Sequence, residues 1–242
     1  IVNSNDQMPR NGDLFFPYRQ HSDMLYLTGI VQEKTVLLLF PSHPREEFRE
    51  ILLLADSDPV EEEWTGRRLS IDETRQISGI HNIKRLRDLD QVLHRLLNEA
   101  VMVMFNLNEY PKFQTDVVSR DHRFARTVIE KYPGHPVGRL APLLSRHRMV
   151  KEEEELAFIR EALVITSDAF FRALEFIRPG VAEYEVHAEI LHEMIRQGSS
   201  GPAYPCIIAS GNHACTMHYI RNSGICEAGD LLLMDIGAEF QH

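Results

Sequence analysis

Two side chains in this sequence sit where packing alone does not explain them. Asp235 interrupts the apolar run Leu231-Leu232-Leu233-Met234, which reads as a buried strand opened by the Gly229-Asp230 turn. On a period-two strand it shares a face with Leu231 and Leu233. An ionised carboxylate left unpaired there would cost several kcal/mol, so a hydrogen-bond network, a basic partner or a metal ion must compensate it. His218 stands 17 residues earlier, in Ala214-Cys215-Thr216-Met217-His218-Tyr219. That stretch also reads as a strand, and the polar turn Arg221-Asn222-Ser223-Gly224 leads from it towards the Asp235 strand. Such a hairpin would bring His218 and Asp235 to the same end of one sheet. Taken singly, an Asp at a strand end is more often a capped or salt-bridged carboxylate, and a His beside a Tyr more often a structural residue. Their joint placement favours chemistry.

The elements that would position this pair are legible from pattern. Thr35–Phe40 and Ile51–Leu54 are short apolar runs that predict strands, joined by the polar Pro41–Arg49. Leu89, Val92, Leu93, Leu96 and Leu97 recur at helical spacing over Asp88–Ala100. Val101–Phe105 predicts a buried strand, and Gln114–Tyr132 a helix ended by Pro133-Gly134. Strands alternating with helices predict an α/β domain over residues 1–146. The stretch His135–Met149, with Pro136, Gly138, Pro142 and the cluster Arg146-His147-Arg148, reads as a solvated basic connector. The second domain, 147–242, opens on the longest helix, whose apolar stripe is Leu156, Ile159, Leu163, Thr166, Phe170, Ala173, Leu174 and Ile177. Glu152 to Glu155 lie in its first turn, where the helix dipole favours negative charge, so they mark a helix start rather than an acidic site. Ala182–Gln197 forms the next helix, ended by Gly198. His187 and His192 are five apart on it, the wrong spacing for a metal pair.

Composition excludes several classes. A chain of 242 residues, 43% hydrophobic and 26% charged, suits one or two globular domains. A formal net charge of −10 argues against nucleic acid as a partner. No apolar run has the length of a membrane span, and no signal peptide opens the chain. Cys206, Cys215 and Cys226 are an odd set without a C-x-x-C pair, which fits reduced thiols and a cytoplasmic setting. Neither a nucleophile elbow nor a phosphate-binding G-x-x-x-x-G-K-[ST] loop occurs. Ile1-Val2 reads as the tail of a strand and Phe240-Gln241-His242 stops just after one, so both ends are expected to be truncations.

Strings in four separated regions of the chain resemble one family. Tyr204-Pro205-Cys206-Ile207-Ile208-Ala209-Ser210-Gly211, Met217-His218-Tyr219 and Gly229 to Phe240 are similar to the catalytic domain of aminopeptidase P, a pita-bread metallopeptidase related to prolidase, creatinase and methionine aminopeptidase. Tyr18-Arg19-Gln20-x-Ser22-Asp23-x-x-Tyr26-Leu27-Thr28-Gly29 resembles its amino-terminal domain. Glu62-x-Trp64-x-Gly66-Arg67-Arg68 and Arg148-Met149-Val150-Lys151…Glu155-Leu156 resemble two further stretches. In one departure, the family's loop places Asn a residue later than Asn212.

The resemblance implies an amino-terminal α/β domain of the creatinase/prolidase type, a mixed sheet with flanking helices, followed by the first part of an α+β pita-bread domain. It implies release of an amino-terminal residue from peptides with proline in second position, by water activated on two divalent metal ions, most often manganese, with cobalt or zinc as substitutes. In the family two Asp, one His and two Glu hold that pair. Asp235 matches the first Asp, and His218 the substrate-site histidine that donates a hydrogen bond to the peptide. The second Asp is expected about eleven residues after Asp235, beyond His242, so this piece alone is expected to bind no metal pair and to cleave nothing. Family members associate into dimers or tetramers. Trp64, the only tryptophan, either packs locally on its domain or lies at a subunit interface or at the active-site rim. Prolidase, acting on dipeptides, and a non-catalytic peptide-binding domain are the alternatives.

Overall fold

The computed structural model describes residues 1–107, 110 and 116–241. The chain divides into two compact units, Ile1–Met149 and Val150–His242. The first begins with β1 (Val2–Asn3), the hairpin β2 (Pro9–Asn11) and β3 (Leu14–Phe15), and α1 (Ser22–Thr28). Then come β4 (Val36–Leu39), β5 (Glu50–Leu54), α2 (Pro59–Thr65), α3 (Ile71–Ser78) and β6 (Ile83–Arg85). It ends with α4 (Leu89–Leu97), β7 (Val103–Phe105), α5 (Arg120–Lys131), β8 (Val137–Arg139) and α6 (Ala141–Met149).

Four of these strands form a sheet in the order β1-β4-β5-β6. β4 runs antiparallel to β1 and β5, while β5 and β6 are parallel. Side chains on a strand alternate faces, and here both faces are buried. Val36, Leu38, Ile51 and Leu53 face α4 and α5, packing on Val92, Leu93, Leu96, Leu97, Ala125 and Val128. Val2, Leu37, Leu52 and Leu54 face the other way, against Met24, Ile30, Ile80 and Ile83. A sheet covered on both sides explains why β4 and β5 are continuous apolar runs rather than alternating ones. β7 and β8 form a separate parallel pair.

Three expectations for this unit change. The buried strand predicted over Val101–Phe105 is shorter, Val103–Phe105, and Val101 is exposed. The helix predicted from Gln114 starts at Arg120, where the Ser119 hydroxyl oxygen accepts from the His122 N–H and caps it; Gln114 and Thr115 lie outside the described residues. Residues 135–149, expected as a connector, carry β8 and α6, and Arg146-His147-Arg148 is the last turn of that helix. Cations there suit the helix C-terminus, and Arg148 has a specific partner as well, its Nη1 donating to Asp23 Oδ1 at 2.6 Å.

The second unit contains α7 (Glu153–Phe176), α8 (Glu183–Arg196), β9 (Ile207–Ser210), a turn of 3-10 helix at Gly211–Cys215, and β10 (Leu232–Asp235). α7 and α8 pack through the small-residue stripe Ile165, Ala169 and Ala173 against Val186, Ile190 and Met194. Alanines let the two backbones approach closely. The larger stripe evident in the sequence faces mostly outward: Ile159, Leu163, Phe170 and Leu174 are exposed. β9 and β10 form an antiparallel hairpin with Ile207 opposite Asp235 and Ser210 opposite Leu232.

Asp235 therefore lies on a hairpin, but not the expected one. Ala214–Tyr219 is not a strand: the 3-10 turn occupies its start and a tight turn follows. Gly211 opens that 3-10 turn. Its φ of +54° suits glycine, and a Cβ there would come within 2.9 Å of the Asp230 carboxylate. Among the described residues no helix is long and apolar enough to cross a membrane.

Candidate functional site

Asp235 ends β10 with its carboxylate exposed, and Oδ1 accepts a 2.7 Å hydrogen bond from the Tyr204 hydroxyl. The sequence predicts a buried face shared with Leu231 and Leu233. That face is open instead: Leu231 is 85% and Leu233 41% exposed. The compensation demanded by burial is correspondingly modest, one phenol rather than an arginine or lysine. Among the described residues no basic side chain pairs with this carboxylate. Burial, and then the neighbouring Asp235 charge, push the Tyr204 phenol up to about 12. Burial and the same charge raise the Cys206 thiol. Gly237 makes room for this pair, since a Cβ there would stand 3.1 Å from the Tyr204 ring. Beside the carboxylate opens a cavity of about 450 Å³ lined by Leu163, Thr166, Ser167, Phe170, Met234 and Ile236.

His218 is exposed on the turn after the 3-10 helix, with a φ of +55°. A non-glycine residue in the left-handed region costs roughly 1–3 kcal/mol and persists only where its surroundings over-determine it. Among the described residues no hydrogen bond or ion pair joins it to Asp235. The chain after His218 nevertheless returns along β9. The Asn222 side chain accepts from the Ile208 N–H at 2.9 Å and donates to the Cys206 carbonyl at 3.0 Å, occupying the edge of β9 away from β10.

The residue that organises this loop carries no conspicuous signal in the sequence. Glu183, fully buried at the start of α8, accepts from four donors: Ser210 N at 2.8 Å, Gly224 N at 2.7 Å, the Tyr219 hydroxyl at 2.8 Å and His213 Nδ1 at 2.9 Å. Burial alone would raise this carboxyl, but the backbone and side-chain donors outweigh it and hold the group below the usual carboxylate range. The His213 ring stacks on Tyr219 with centroids 4.6 Å apart. His213 stands where the resembling family has its Asn, one place after the exposed Asn212. The signal that could have found Glu183 was an acid directly after a helix-starting Ala, a position that also reads as ordinary dipole compensation.

Trp64 lies on α2, a helix with no buried residue, and is 83% exposed. At that exposure its ring does not pack on its own unit. As a metal centre the described residues are insufficient. Asp235 offers hard oxygen of the kind manganese takes, but one carboxylate already engaged by a phenol does not hold a pair of ions. Among the described residues no group of three or more His, Cys, Asp or Glu side chains could hold one.

Comparison with known proteins fits this two-part chain. Residues 1–104 match the family model "Aminopeptidase P, N-terminal domain", and residues 157–242 match "Metallopeptidase family M24". The chain is 32% identical over 237 residues to the Xaa-Pro aminopeptidase of Escherichia coli, covering 97% of itself and 53% of that protein. To human Xaa-Pro aminopeptidase 3 it is 25% identical over 241 residues, covering 47% of that protein. Among solved structures it resembles aminopeptidase P from E. coli with a TM-score of 0.85 at 31% identity, over 99% of this chain and 54% of that one. Pseudomonas aeruginosa aminopeptidase PepP gives 0.84 at 32% identity, again over 99% of this chain and 54% of that one. The chain thus spans about half the length of the curated relatives it matches.

Proposed function

Since the chain belongs to the pita-bread metallopeptidases of family M24, with the amino-terminal domain of aminopeptidase P ahead of the catalytic one, we propose that the protein carrying it is a metal-dependent Xaa-Pro aminopeptidase. The substrate is a peptide with proline second, whose tertiary amide lacks an N–H and resists general aminopeptidases. Asp235 is one oxygen ligand of a divalent-metal pair, manganese by preference, the other ligands being supplied by residues outside these 242. The observation that supports this most is the open Asp235 carboxylate, steadied by Tyr204 on an exposed sheet face beside a cavity. His218 donates a hydrogen bond to the bound peptide from its left-handed turn. The names of the relatives favour this activity over prolidase.

Three finer points belong to the same reading. Exposed Trp64 meets another subunit in a homodimer or tetramer. Three free thiols suit the cytoplasm. The 242-residue chain by itself neither collects the metal pair nor cleaves peptide. A direct trial is metal analysis and Xaa-Pro-Yaa hydrolysis by the whole protein and by this chain. Stoichiometric manganese and cleavage in the whole protein only would support the reading. Cleavage by the 242 residues alone would overturn the ligand assignment, and a metal-free, inactive whole protein would mark a peptide-binding domain instead.

A further inference from the structure

We infer that Glu183 is the positioning residue of this site: it fixes the loop 211–224 so that His218 is presented in its left-handed conformation. This rests on the reading of His218 as a peptide-binding residue. The loop contains no regular strand, so its conformation must come from side chains. Glu183 gathers donors from both ends of the loop and from its middle. Ser210 N marks where the chain leaves β9, and Gly224 N where it arrives beside α8. Gly224 is held twice, because its carbonyl also accepts from the Glu183 N–H at 2.9 Å. His213 and Tyr219, the other two donors, flank His218 in sequence, and their rings stack on each other.

The bonds leave His218 little freedom. Tyr219, its immediate neighbour, is clamped by the His213 ring on its face and by Glu183 at its hydroxyl. Three residues further on, the Asn222 side chain pins the returning backbone to β9. The Glu183 carboxylate also fixes Nδ1 of His213 as a donor, which orients the ring. Space is as tight as the bonding: a Cβ on Gly224 would lie 2.7 Å from the His213 ring and 2.8 Å from Glu183 Oε1. A carboxylate is required rather than an amide. Two of the four donors are backbone N–H groups, which cannot reverse to accept from an –NH₂.

The test uses Glu183→Gln and the milder Tyr219→Phe, which deletes one donor and keeps the stacked ring. Amide hydrogen exchange over residues 211–224 and the His218 imidazole signals by NMR are read in each folded variant. Exchange of the loop should rise at least tenfold in Glu183→Gln and less in Tyr219→Phe, with the His218 ring signals shifted in both. In the whole protein KM for an Xaa-Pro-Yaa peptide should rise about tenfold with kcat nearly unchanged, the signature of lost uniform binding. If Glu183→Gln does not fold, Tyr219→Phe decides on the same readouts. Unchanged loop exchange and unchanged His218 signals would overturn the proposal. If the loop loosens as expected while His218→Ala leaves cleavage intact, Glu183 still positions the loop and the peptide-binding role of His218 is what fails.

Discussion

The central sheet of the first unit and the β9–β10 hairpin of the second are built from similar residues and treated oppositely. In β4 and β5, successive side chains bury on alternate faces, and Leu37, Leu52, Leu53 and Leu54 are all fully enclosed. In β10 the same kind of apolar run buries one face only: Leu232 and Met234 pack towards α7 and α8, while Leu231, Leu233 and Asp235 look outward. An apolar run thus establishes that a strand exists but not how many of its faces are covered. The open face is the one that bears the carboxylate.

The sharpest way to break this contrast is a matched pair of leucine truncations. Leu52→Ala should destabilise the first unit by about 2–5 kcal/mol, by lost transfer energy plus a cavity. Leu231→Ala should change the second by less than ~0.5 kcal/mol, because it vacates no packed space. Guanidinium midpoints of the two variants check this, and equal losses would erase the distinction. Next in size, Ala169→Leu forces a larger side chain between α7 and α8. It should cost about 1–3 kcal/mol by overpacking, whereas Leu163→Ala on the outer face of α7 should be close to silent in the same measurement.

Acid sharpens the comparison differently. Glu193 on α8 is held at about 2 by the Arg196 guanidinium, then by Gln197 and Arg172. A carboxyl depressed from 4.5 contributes stability above that value and loses it as pH falls towards 2. Glu183, also lowered, adds to the loss in the same direction. Melting of the second unit should therefore fall between pH 4.5 and 2, and Glu193→Gln should flatten that slope; an unchanged slope would count against the ion pair. The smallest effect is expected at the exposed pair. In Asp235→Asn the Tyr204 phenol should titrate nearer 10 than its present value of about 12, seen by ultraviolet absorbance, with little change in stability.

Much of the architecture was legible from local pattern. Continuous apolar runs marked β4 and β5, spacing marked α4, α7 and α8, and a carboxylate among leucines marked Asp235. What stayed hidden depends on contacts far apart in the chain. Glu183 meets its four partners across separations of 27 to 41 residues, and nothing near it in sequence declares them. The stretch before His218 alternates like a strand, yet the Glu183 network folds it into a turn, so tertiary bonding overrode local propensity. The stripe on α7 misled for a related reason. That helix has two apolar sides, and the smaller one, with Ala169 and Ala173, allows the closer approach.

The most direct measurement is Xaa-Pro-Yaa hydrolysis by the manganese-loaded whole protein, wild type against Asp235→Asn, with bound manganese counted in both. The account predicts that the wild type cleaves the tripeptide, and that the substitution lowers both metal content and cleavage, the latter by ~100-fold or more. Full metal occupancy and undiminished cleavage in Asp235→Asn would contradict it.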